Sequence, residues 1–211
     1  MFLDRRDAGR RLAAALRDRI DDPALVLGIP RGGVIVAEAV ADALGVPLDV
    51  VVPRKIGAPT NPELAIGAIA PGVQVWDRPL IGRLGVTERY LSDEVESQEA
   101  EIERRTKTYR GERPPPDLRG KVAVVVDDGI ATGATAAAAL RWVRARGTGR
   151  VVLAVPVASA EAVSRLGGEA ADVVALETPF AFRAVGEWYL SFGQTTDDEV
   201  VAAMDRAGSG A

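Results

Sequence analysis

Val122-Ala123-Val124-Val125-Val126 runs without a break into Asp127-Asp128-Gly129-Ile130-Ala131-Thr132-Gly133-Ala134-Thr135. The apolar run, bounded by Lys121 and Asp127, has the pattern of a strand buried on both faces. Behind the loop, Ala136-Ala137-Ala138-Ala139-Leu140-Arg141-Trp142-Val143 is rich in strong helix formers. Strand, acidic pair, small-residue loop and helix start therefore make one unit. Two carboxylates at a strand's carboxyl end can hold a cation or a sugar diol. The free N–H groups and threonine hydroxyls at the following helix start can hold a phosphate. A ligand that presents hydroxyls and a phosphate a few ångströms apart is a sugar phosphate.

The same alternation extends outward from this unit. Asp4 is placed to cap a helix over residues 5–20, with Ala8, Leu12, Ala15 and Leu16 on one face. Residues 24–28 form a short buried strand, and Ile29-Pro30-Arg31-Gly32-Gly33 is a loop into a helix over 34–44 that Gly45 stops. A strand over 47–52 follows, then a hairpin of 65–69 with 73–76 over a loop rich in Gly, Pro and Asn. Residues 87–109 predict a long charged helix with a narrow apolar stripe of Leu91, Val95, Ile102 and Tyr109, suited equally to lying across the domain or to a homodimer contact. Arg113-Pro114-Pro115-Pro116-Asp117 is a stiff return. A strand over 151–157, a helix over 160–166 capped by Ser159 and a strand over 172–176 complete the pattern.

Alternation of this kind means an α/β fold: a mostly parallel sheet flanked by helices, with right-handed crossovers and ligands beyond the strands' carboxyl ends. The chain, 211 residues long, is expected to be a single domain over 1–211. Its core would cover about 20–180, with an inserted loop and long helix at about 54–112 and a small hood at about 178–206. The tail from Gly208 to Ala211 is expected to be disordered.

Composition narrows the function classes. A net charge of −4 argues against a dedicated nucleic-acid surface. Cysteine and histidine are both absent, which removes disulfides, thiolate metal sites and imidazole as base or ligand. No apolar stretch is long enough to span a membrane, and the first residues do not begin a signal peptide, so a cytoplasmic location is expected. Lys55, Lys107 and Lys121 are the only lysines and none sits in a Walker A setting; Gly28, Gly32 and Gly33 are wrongly spaced for a dinucleotide fingerprint.

The nonapeptide with its preceding strand resembles the phosphoribosyl-diphosphate signature of type I phosphoribosyltransferases. The resemblance implies that Asp127 and Asp128 face the ribose hydroxyls, directly or through Mg²⁺, and that Ala131, Thr132, Gly133, Ala134 and Thr135 wrap the 5-phosphate. Members of the family grip the diphosphate with a short loop matching Pro30-Arg31-Gly32-Gly33, which makes Arg31 and Gly32 the expected contacts and predicts an unusual peptide near Arg31. Arg54 and Lys55, in Val51-Val52-Pro53-Arg54-Lys55-Ile56-Gly57, resemble the Arg-Lys pairs ahead of the mobile catalytic loop, where cations would neutralise the leaving diphosphate. Residues 58–64 would then be the closing loop, with Glu63 as a candidate base.

Phe182, Val185 and Trp188 lie in the aromatic-rich stretch that family members place against the base, although such clusters also fill cores. Ala131 stands where 6-oxopurine-specific members carry Asp, which disfavours a 6-oxopurine acceptor. The expected activity is Mg²⁺-dependent transfer of phosphoribosyl from phosphoribosyl diphosphate to a nitrogenous base. The alternative is a non-catalytic sensor of the same ligand. A sugar-phosphate hydrolase ranks last, for want of a group to activate water.

Overall fold

The computed structural model describes residues 1–21 and 23–208. In chain order the elements are α1 (Arg5–Leu16), β1 (Ala24–Gly28), α2 (Gly32–Leu44), β2 (Leu48–Val50), β3 (Arg54–Ala58), β4 (Asn61–Ala70) and β5 (Val73–Trp76). Next come α3 (Arg78–Leu84), α4 (Glu88–Arg110), β6 (Val122–Val126), α5 (Ala134–Arg144), β7 (Arg150–Val157), α6 (Ala160–Leu166) and β8 (Asp172–Glu177). A 3-10 turn at Val185–Trp188 leads to α7 (Asp197–Gly208).

Five strands pair in parallel in the order β2-β1-β6-β7-β8, the α/β sheet that the alternation predicts. Successive residues point to opposite faces, and both faces are covered. Val26, Val124, Val126, Val152 and Ala154 pack towards α1 and α2. Leu25, Leu27, Ala123, Val125 and Leu153 pack against the run of alanines in α5. Burial on both sides is why these strands are unbroken apolar runs with no polar alternation.

The second sheet differs from expectation. β3, β4 and β5 form an antiparallel meander, so residues 58–64, expected as a loop, are the tip of a hairpin turning at Pro59 and Thr60. Ile56 and Ala58 on β3 are buried at two-residue spacing, and residues 66–70 of β4 are buried without a break. Gly57 allows the close approach: a Cβ there would meet the Pro62 carbonyl oxygen at 2.5 Å. α4 lies against β3, β4 and α7, with Leu91, Ile102 and Tyr109 buried, so its stripe is used within the chain.

Helix ends follow local chemistry. Asp4, Thr87 and Ser159 cap α1, α4 and α6 as side-chain acceptors. α1 stops at Leu16, short of the expected residue 20. Gly45 ends α2 with φ 69°, a left-handed conformation that costs glycine nothing. The expected tail disorder falls partly inside α7, whose last residue is Gly208; residues 209–211 lie outside the described residues.

Candidate functional site

The strand order reverses between β1 and β6: after β1 the chain turns to β2 on one side, and after β6 to β7 on the other. A crevice opens at such a point beyond the carboxyl ends of the strands. β1 and β6 run in register from Ala24 opposite Val122 to Gly28 opposite Val126, so their following loops leave the sheet together. These loops are Pro30-Arg31-Gly32-Gly33 and the acidic nonapeptide. They touch: a Cβ on Gly32 would overlap Asp128 Oδ2, and one on Gly33 would lie 2.9 Å from Asp127 Oδ1. The glycine pair is thus required by the neighbouring acids, and the Pro30–Arg31 peptide is cis, the unusual peptide expected there.

Two helices enter at this crevice, α2 and α5, and neither has a side-chain cap. The remaining helices do: Asp4, Asp77, Thr87 and Ser159 cap α1, α3, α4 and α6, and Thr196 with Glu199 forms a reciprocal capping box at α7. The first-turn N–H groups of α2 and α5 therefore have no side-chain acceptor, and both ends point at the crevice. Gly133 opens α5 with φ 81°. The loop before it is held from outside: Ser159 Oγ donates to the Ala131 carbonyl at 2.7 Å and Arg165 Nη1 to the Thr132 carbonyl at 3.2 Å. A cleft of about 580 Å³ borders Ala131, Thr132 and Ala134 and continues to Trp76 and Arg165.

Burial raises the pKa of the Asp127 carboxyl well above the usual range, and repulsion from Asp128 adds to it. Burial also raises Asp128, opposed by Arg5, whose Nε donates to Asp128 Oδ2 at 2.7 Å. A pair so placed favours a cation beside it. Among the described residues no group of three or more Asp, Glu, His or Cys is arranged to hold a metal ion. The pair alone offers two carboxylates, so Mg²⁺ fits here only if substrate oxygens complete its shell.

The other expected positions are distributed around this centre. Arg31 Nη1 stands 3.9 Å from Asp197 Oδ1 at the start of α7. Arg54 and Lys55 are neighbours on β3 whose side chains diverge. Arg54 Nε donates to Gln98 on α4 at 2.9 Å, whereas Lys55 Nζ pairs with exposed Glu63 at 2.8 Å across the hairpin. Val185 reaches the acidic loop, since a Cβ on Gly129 would overlap its Cγ1. Trp188 packs with Phe2 and Tyr189, and its carbonyl accepts from Phe2 N at 2.8 Å. Phe182 is half-buried, and its neighbour Phe180 is fully exposed.

The family model described as the phosphoribosyl transferase domain matches residues 2–184. The chain belongs to the type I phosphoribosyltransferase family. Two Mycobacterium tuberculosis relatives, from strains H37Rv and CDC 1551, are each 48% identical over 208 residues, 98% of this chain, and are provisionally named phosphoribosyl transferases. The chain spans about half the length of these curated relatives, 47%. A crystal structure of the protein TT1426 from Thermus thermophilus superposes with a TM-score of 0.81 at 48% identity, covering 97% of both chains. No described helix is long and apolar enough to cross a membrane.

Several residues of this phosphoribosyltransferase domain carry no local sequence signal for the site. Arg5, from the first turn of α1, reaches Asp128 across 123 positions, donates Nη1 to the Gly193 carbonyl at 2.8 Å and lies 4.0 Å from the centre of the Phe192 ring. The Tyr189 hydroxyl donates to the Asp128 carbonyl. Phe2 and Leu3 are joined by backbone hydrogen bonds to Trp188, Leu190 and Ser191. The amino-terminal segment thus holds residues 188–193 over the acids. α7 was not anticipated either, although the Thr196-to-Glu199 spacing is that of a capping box and could have announced it.

Proposed function

We propose that the domain is a Mg²⁺-dependent phosphoribosyltransferase that binds 5-phospho-α-D-ribose 1-diphosphate and transfers its phosphoribosyl group to a ring nitrogen of a base. One observation carries the reading. Among the described residues, the two α-helices without side-chain caps are those whose starts flank the buried acid pair at the sheet's switch point. That geometry suits a ligand with an anionic group at each end and a diol between them. Ala131 to Thr135 would take the 5-phosphate, Asp127 and Asp128 the ribose hydroxyls, and Arg31 with Gly32 the diphosphate. Arg54 is placed to add positive charge on the diphosphate side, with Lys55 at the hairpin.

In the reaction the base nitrogen's lone pair forms the bond to C1 with inversion. The C1–O bond breaks, its electron pair leaves on diphosphate, and the nitrogen gives up a proton. Mg²⁺, when bound, would neutralise charge developing on the leaving group. The chain's own groups orient the ribose and shield C1 from water, with residues 188–193 as the cover. Val185, next to Gly129, is the expected base contact that adjoins the acidic loop, with Phe182 and Trp188 as the other two. A single domain with a β3–β5 insertion and a hood built from the segment after β8 follows from the same reading, as does a cytoplasmic setting.

Calorimetry with phosphoribosyl diphosphate and Mg²⁺ tests the ligand. Saturable heat is expected from the wild-type chain and none from a variant carrying Asp127→Asn with Asp128→Asn that is still folded. A flat titration of folded wild-type protein at millimolar ligand ends the proposal. Diphosphate release measured over a panel of bases then identifies the acceptor. Binding with no release from any base would assign the domain to the sensor class.

A further inference from the structure

Asp197, the first residue of α7, occupies a place built for an anion. Its Oδ1 accepts a 2.6 Å hydrogen bond from the Tyr109 hydroxyl, and guanidinium nitrogens of Arg31 and Arg104 each stand 3.9 Å from its carboxylate. Arg105 and Arg54 lie along the same face of α4: Arg105 Nε donates to Glu101 at 2.6 Å and Arg54 Nε to Gln98 at 2.9 Å. Three arginines, Arg31 from the loop after β1 and Arg104 and Arg105 from α4, thus face two carboxylates, Asp197 and Glu101.

Glu101 is fully engaged. It accepts from Arg104 Nε at 2.7 Å, Arg104 Nη2 at 3.0 Å and Arg105 Nε at 2.6 Å, and these bonds bring its pKa down to about 2. Asp197 is not. At 3.9 Å Arg31 and Arg104 pair with it by charge without a hydrogen bond, and among the described residues only the Tyr109 hydroxyl hydrogen-bonds to its side chain. One short carboxylate cannot reach both guanidinium groups, whereas a diphosphate, with terminal oxygens on two phosphorus atoms, can span them. Arg31 is 40% exposed, Arg104 54% and Asp197 32%, so the group is open to solvent. Burial and the bond to Asp197 push Tyr109 up to about 12, which keeps its hydroxyl a donor at neutral pH.

We propose that Tyr109 and Arg104 on α4 complete the outer half of the diphosphate site with Arg31, and that Asp197 stands in for the diphosphate until the ligand displaces it. The inference rests on the ligand reading above and adds to it two binding residues and an internal competitor. It predicts a sign that a structural role would not give: removing the Asp197 charge strengthens ligand binding.

The test compares phosphoribosyl diphosphate with ribose 5-phosphate, which lacks the diphosphate, by calorimetry with Mg²⁺ on the full chain. Asp197→Asn keeps an oxygen for the Tyr109 hydroxyl, and Arg104 is half-exposed, so both variants should fold; thermal midpoints verify this. Arg104→Gln is expected to weaken phosphoribosyl diphosphate about tenfold, the scale of one charge-assisted hydrogen bond. Arg104→Lys should recover part of that loss. Asp197→Asn is expected to tighten the same ligand by roughly threefold or more. Ribose 5-phosphate should bind all of these variants as it binds the wild type. Unchanged binding in Arg104→Gln, equal losses for both ligands, or weakening in Asp197→Asn overturns the inference while leaving the ligand reading intact. A wild-type chain that binds neither ligand sinks both.

Discussion

Two carboxyl groups held side by side under cover carry a standing electrostatic cost, and Asp127 bears the greater part of it. Its folded pKa lies above the unfolded value. The cost is therefore absent in acid, below about pH 4, and grows as the pH rises through the folded pKa. Asp127→Asn preserves the oxygen that accepts from Asp128 N at 2.8 Å and removes the charge. The variant should melt roughly 2–4 °C higher than wild type at neutral pH, the shift expected of about 1 kcal/mol in a chain of this size. The difference should shrink towards zero as the pH falls to about 4, and phosphoribosyl diphosphate binding should be lost. A midpoint that drops at neutral pH would mean that the pair is stabilising and the account of the site wrong. The acids themselves were legible in the sequence because strand, acid pair and loop are contiguous. Arg5 was not, because 123 positions of sequence separate it from Asp128.

At the scale of elements, the start of α5 depends on a left-handed glycine. Gly133 has φ 81°, and a Cβ there would meet the Leu166 side chain at 3.0 Å. Gly133→Ala should cost about 1–2 kcal/mol from the left-handed backbone alone and shift the Ala131–Thr132 loop, which Ser159 and Arg165 hold in place. Urea unfolding measures the first effect and calorimetry the second; a variant as stable as wild type would show that the loop adopts a different backbone. The parallel sheet, α2, α4 and α6 were readable because period, cap and stop signals coincide in them. The β3–β4 hairpin was obscured by Pro59, Asn61 and Pro62, which spell a loop locally. Burial of Ile56, Ala58, Ile66 and Ala68 outweighs that local preference.

Across the whole molecule, α1, α2 and α7 are joined through one buried carboxylate. Glu38 on α2 is 2% exposed and pairs with Arg6 at 2.8 Å and Arg206 at 2.7 Å. Its partners are about half exposed, so the consequences of substitution are unequal. Glu38→Gln leaves two arginines that water can solvate and should cost under about 1 kcal/mol. Arg6→Ala with Arg206→Ala strands a buried charge and should cost roughly 3 kcal/mol. Chemical denaturation of the two variants decides it, and equal losses would mean that the helices are held by apolar packing alone. Because α7 brings Asp197 to Arg31, the double variant should also alter binding at the diphosphate side.

The chain's sequence by itself determined the fold class, the family and the acid-bearing loop, because each is written in neighbouring residues that obey one local period or one turn chemistry. The tertiary structure alone decided which distant charges meet. Arg5 reaches Asp128, Arg104 and Tyr109 reach Asp197, and Lys55 turns away from Arg54 to Glu63. The reason is physical: a side chain's electrostatic partner is set by the packing of whole helices on the sheet. No window of residues along the chain contains that geometry.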